Sequence, residues 1–151
     1  VFSTPRLFIK TGIAFLGVGL VLGSWLLVGR ELRILPTHPL LTSAHVHAVG
    51  IGFVMFIILG VAQWLFPRPP KEDTRYRPHR LLVAYWILTI ATGLRIVTET
   101  ARVWSDALPL RLLVVASGVG QVIGLAWYFY SMWSRIRPVG SALREKAGER
   151  F

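Results

Sequence analysis

The chain has 151 residues, of which 54% are hydrophobic and only 16% charged, and its mean hydropathy is +0.57. That balance is too apolar for an ordinary soluble domain. The absence of cysteine excludes disulfides, iron–sulfur clusters and thiolate metal sites, so a metal or cofactor must be held by His, Met, Tyr or a carboxylate. The net charge of +10 would suggest nucleic acid in a soluble protein. Here the basic residues sit in short segments between apolar runs and no basic–aromatic nucleic-acid motif is present. They read as topology signals and as attraction to anionic lipid, with the bilayer as the expected partner and no nucleic acid.

Four apolar stretches are long enough to cross a hydrocarbon core of about 30 Å. The expected architecture is all-α: an integral membrane four-helix bundle over 1–137, with spans at 7–28, 39–66, 80–101 and 108–133, and a cytoplasmic tail at 138–151. The first stretch has no small-residue cleavage site after it, so it is expected to remain as a span. Gly29-Arg30-Glu31 is expected to end it, and Thr37-His38-Pro39 to cap the second, with proline in the first turn. The second span is expected to stop at Pro67-Arg68-Pro69-Pro70, and Asp106 to Pro109 to turn the chain into the fourth.

Most of the 17 basic residues fall on one side. Arg6 and Lys10 precede or open the first span; Arg68, Lys71, Arg75, Arg77 and Arg80 lie between the second and third. Arg135, Arg137, Arg144, Lys146 and Arg150 follow the fourth. The positive-inside rule then predicts a multi-pass protein of the cell inner membrane with both termini cytoplasmic. Trp64, Tyr85, Trp86, Tyr128, Tyr130 and Trp133 are expected as an aromatic belt at the inner interface, and Trp104 at the outer one.

Gly19 and Gly23, and Gly120 and Gly124, are spaced by four, as helices require for close approach in lipid. In the second span, Gly50, Gly52 or Gly60 is expected either to pack helices or to clear space for a flat cofactor. The second span also carries His45 and His47. At 1.5 Å per residue His47 lies roughly 12 Å from the outer end, and an ionisable residue at that depth is a functional candidate. The two differ by about 200° around a helix and cannot face one cofactor together. His47 reads as a ligand, with an interhelical hydrogen bond as the alternative; for His45 the two readings stand level. His38 reads as a surface residue, and His79 lies at the opposite side of the membrane from His47. On the third span Thr92, Arg95, Glu99 and Arg102 form a stripe. Arg95 either pairs with Glu99 at i,i+4 or, like Arg102, neutralises a buried carboxylate such as a haem propionate. Between the belts Gln63, Thr89 and Thr92 are polar, and no chain of buried carboxylates is apparent.

The segment HVHAVGIGFVMFIILGVAQWLFP, from His45 to Pro67, resembles the second helix of subunit I in the haem–copper oxidase and nitric oxide reductase superfamily. Its His-x-His, the Gly52-Phe53 that follows, Gly60 and Phe66-Pro67 carry the likeness, which covers about one helix in four. The resemblance implies that His47 is an axial ligand of a haem b in the outer half of the bilayer. It also implies outer-surface arginines at haem propionates, chemically matched by Arg95 and Arg102. Subunits of that family have about twelve helices and further ligand histidines, so one copy of this chain supplies no complete catalytic centre. Three copies would give twelve helices, which makes a homo-oligomer, a homotrimer imitating that fold, the assembly to test. The functions expected are electron transfer, with a redox partner or quinol as donor, or NO or O2 binding. A copper site of His38, His45 and His47, and a cofactor-free accessory or assembly subunit of a respiratory complex, are the alternatives.

Overall fold

A computed structural model of the chain describes residues 3–67 and 76–137, together with 140, 143, 144, 147 and 148. The expected topology residues Arg68, Lys71, Arg75, Lys146 and Arg150, and the second-span stop at Pro69-Pro70, lie outside the described residues. The structure is all-helical, with four helices long and apolar enough to cross a membrane. We number these α1 (Ser3–Leu32), α2 (Pro39–Leu65), α3 (Pro78–Ala101) and α4 (Leu108–Met132). A 3-10 turn, Trp133–Arg135, follows α4.

Local chemistry sets most helix ends. Pro39, Pro78 and Pro109 each lie in the first turn of a helix, where a missing N–H costs nothing. His38 is itself the cap of α2: its backbone is extended and its Nδ1 accepts the Leu40 N–H at 3.1 Å. α1 runs past Gly29-Arg30-Glu31 to Leu32. Charge at those positions limits what lies in hydrocarbon, but Arg and Glu are good helix formers. The helix stops instead at Arg33, whose φ of 58° places it in the left-handed region usually occupied by glycine after a helix. α2 is not uniform: between the α-helical segments Pro39–Val46 and Phe56–Leu65, residues His47–Met55 form a π-helical stretch. Such wide turns are rare and often mark functional sites.

α1, α2 and α3 pack on one another, and the α4 backbone lies along α3, with Tyr128 also meeting Phe8 of α1. α4 reaches α2 only through side chains. Tyr128 donates to the Leu59 carbonyl at 2.6 Å, and the buried Arg135 guanidinium donates to the carbonyls of Gln63, Phe66 and Pro67 at 2.7–2.9 Å. These acceptors lie in the last turn of α2 and the two residues that follow it, so one arginine closes the end of a neighbouring helix. Gly120 and Gly124 face Ala91 and Leu88 at the α3–α4 contact. Lipid supplies no hydrophobic drive between helices, so close backbone approach and dispersion must hold them.

The largest core cluster joins Phe8, Phe56, Tyr85 and Tyr128, with ring centroids 5.3–6.4 Å apart, to Leu59, Leu81, Leu88 and Met132. This corrects the expected aromatic belt. Tyr85 and Tyr128 are buried because their hydroxyls find partners inside, Tyr85 with Thr11 at 2.8 Å and Tyr128 with Leu59. Trp64, Trp86, Tyr130 and Trp133 are exposed.

Candidate functional site

The first turns of α2 present the histidine pair to two different neighbours. His45 faces α1, and its Nδ1 lies 2.8 Å from the Gly19 carbonyl oxygen. The ring rests on Gly23, where an added Cβ would stand 2.9 Å from the imidazole Cε1. His47 faces α3, and its Nδ1 lies 2.8 Å from the Ser43 carbonyl one turn back in α2. A carbonyl only accepts, so both Nδ1 atoms donate and each Nε2 is the ring nitrogen left for a ligand. No described residue bonds either Nε2. The two imidazoles are thus oriented in the same way on opposite sides of one helix.

Behind His47 lies a group that sequence reading did not single out as buried. Glu99 of α3 is 1% exposed. Its Oε1 accepts from the Ser43 hydroxyl at 2.8 Å and from Arg95 Nε at 2.7 Å. Its Oε2 has no hydrogen bond but stands 3.4 Å from His47 Nδ1. Arg95 also donates to the Val114 carbonyl of α4 at 2.9 Å. One carboxylate therefore connects α2 to α3, and its arginine carries the link to α4. Glu99 is a single buried carboxylate and not a chain of them, and its sequence signal was its i,i+4 spacing from Arg95. Burial of the charge is tolerable because a guanidinium and a hydroxyl meet it.

Arg95 does neutralise a buried carboxylate, but that carboxylate belongs to the protein. Arg102 is engaged elsewhere: it and Arg111 both bind Asp106 at the turn between α3 and α4. The hydrogen bonds from Arg111 and then Arg102 hold the Asp106 carboxyl down to about 2. Gly52 is buried against α1, where a Cβ would meet Phe15 Cβ and Cγ at 2.6 Å; Gly60 meets Ile9 and Phe8. The space beside both is filled by α1, whereas Gly50 has nothing within 4 Å. His38 is spent on its cap and His79 is exposed at the start of α3. Among the described residues no three His, Asp or Glu side chains gather to hold a metal ion, so the His38, His45 and His47 set does not form a copper site within the chain.

A cavity of about 640 Å³ opens beside His45, between α1 and the start of α2. Gly23, Leu26 and Leu27 line it within the span, and Arg30 and Arg33 at its mouth, where α1 ends. Neither arginine carried any functional expectation, because nothing local ties the end of α1 to a histidine on α2.

Compared with known proteins, no family model, no curated protein and no solved structure matches the chain.

Proposed function

We propose that this is a membrane haem b protein in which His47 supplies an axial ligand, serving electron transfer or the binding of NO or O2. The observation that carries the reading is the orientation of His47. Its Nδ1–H is held by the Ser43 carbonyl with the Glu99 carboxylate behind it, and its Nε2 has no partner among the described residues. A backbone carbonyl or carboxylate behind the distal nitrogen is the usual outer shell of a metal-bound imidazole. It sets the tautomer, orients the ring and raises ligand basicity. His45 is oriented likewise but lacks the carboxylate. The resemblance of His45–Pro67 to the second helix of haem–copper subunit I supports the same choice.

The donor set fits haem b, which needs one or two imidazoles and no thiolate. When bound, haem would supply a one-electron couple, or a gas site if an axial position stays open. Within this chain Ser43 and Glu99 would hold the His47 ring, and Arg95 would balance the carboxylate. A second ligand from another copy accords with a homo-oligomer, a homotrimer among the options. The distribution of basic residues favours both termini on the cytoplasmic side of the inner membrane.

An absorption spectrum of the purified full chain tests the reading. A Soret band that is lost in His47→Ala and kept in His79→Ala is the expected result; a wild-type protein without one overturns it. A specific observation favours a second reading, a cofactor-free accessory subunit: His45 already bridges to Gly19, and His47 already meets Glu99. Wild-type protein free of haem and metal, with reduced stability in His45→Ala and His47→Ala, would be its signature.

A further inference from the structure

The groove at the C-terminal end of α1 is built differently from the rest of the lipid-facing surface. Its apolar lining is Leu26 and Leu27 within the span, beside Gly23 and His45. Its mouth carries Arg30 and Arg33, with the hydroxyl of Thr42 at the start of α2 beside them. The loop between α1 and α2 is folded back to make the far wall: Trp25 Nε1 donates to the Pro36 carbonyl at 3.1 Å, and Gly29 lies against Thr37 and Leu35.

The charge at the mouth is only partly balanced by the protein, with two guanidiniums against one carboxylate. Glu31 stands 3.7 Å from Arg30, but both side chains are largely exposed, and such a pair holds neither in place. Asp106, at the same end of the molecule, is already bound by Arg102 and Arg111. The negative end of the α1 dipole and the positive end of α2 oppose each other here, so two guanidiniums and one carboxylate leave the mouth net positive.

Arg33 adds a second observation. Its φ of 58° puts an arginine in the left-handed conformation that glycine adopts without cost, and no other non-glycine described residue has a positive φ. As a helix stop, glycine would serve better. An arginine here spends backbone stability, and what it gains is a guanidinium at the mouth of the groove.

We propose that the groove holds one anionic phospholipid of the adjacent leaflet, its phosphate on Arg30 and Arg33 and an acyl chain along Leu26 and Leu27. A soluble anion has no use for the apolar lining, and a zwitterionic lipid has no use for a net positive mouth. The assignment does not depend on haem binding.

Native mass spectrometry of the detergent-purified full chain, with phosphatidylglycerol or phosphatidylcholine added, reads the preference directly. A basic residue near a lipid surface favours an anionic headgroup by about fivefold, so the net positive mouth should give a preference of at least about fivefold. Arg33→Gly is expected to raise the melting temperature in lipid-free detergent while cutting the phosphatidylglycerol preference about fivefold. Arg30→Gln should cut it by a similar factor, and Lys10→Gln, near the other end of α1, should leave it unchanged. Equal retention of the two lipids overturns the proposal, as does an undiminished preference in both arginine variants. Displacement of phosphatidylglycerol by equimolar inorganic phosphate would make this a soluble-anion site. Loss of a Soret band in Arg33→Gly with lipid preference intact would make the groove a haem seat, and either result sinks the lipid assignment.

Discussion

The Arg95–Glu99 pair can be measured with a double-mutant cycle, and the structure sets the asymmetry of the result. Removing one member of a buried ion pair costs about 3–5 kcal/mol when the survivor is stranded. An unfolded chain in detergent also finds partners, which pulls values toward or below the lower end. The two survivors here are not equivalent. After Glu99→Gln, Arg95 keeps the Val114 carbonyl and a side chain 20% exposed, so the loss should be about 1.5 kcal/mol. After Arg95→Met, the Glu99 carboxylate keeps Ser43 but is 2% exposed, so the loss should be about 3 kcal/mol. Gln with Met strands no charge, and the double variant should fall about 2 kcal/mol short of the sum of the singles. Reversible unfolding in a mild detergent, followed by far-ultraviolet circular dichroism, supplies the four free energies. Additivity within about 0.5 kcal/mol, or an Arg95→Met loss smaller than that of Glu99→Gln, would refute the view that Glu99 is buried against this guanidinium.

Two further outcomes follow from packing and charge. Gly52→Ala should cost about 1–3 kcal/mol, because the new methyl meets the root of the Phe15 side chain and not a flexible tip. Gly50→Ala, with open space around it, should be neutral or stabilising by up to about 1 kcal/mol. The same unfolding assay compares them, and equal tolerance at the two sites would contradict the α1–α2 contact. The turn between α3 and α4 should respond to acid. Asp106 titrates at about 2 in the folded protein against 3.8 for the free group, so its contribution is whole above about 4 and is lost as the pH falls toward 2. Hydrogen exchange of residues 102–107 should accelerate over that window in the wild type and show no such acid step in Asp106→Asn.

The four spans, the proline-led start of α2 and the placement of the histidines on opposite faces of α2 were legible in the sequence. These properties belong to single helices: apolar length, a cap, and a rotation of about 100° per residue. Even there, local chemistry misled where it stood for two things at once. Arg30 and Glu31 mark the edge of hydrocarbon, but α1 continues through them to Leu32.

Which neighbour each residue meets was decided only by the tertiary structure. In a soluble helix the polar face announces the outside. In a bilayer the lipid is as apolar as the core, so an exposed Leu27 and a buried Leu59 look the same in sequence. For that reason Tyr85 and Tyr128 read as interface residues although they are core, and Gly52 read as a cofactor clearance although Phe15 fills it. Ser43 and Glu99 are 56 residues apart and meet only because α2 and α3 pack. The sequence by itself carried His47 into the membrane. The packing of α3 against it placed a carboxylate behind its Nδ1, and no periodicity within α2 could encode that contact.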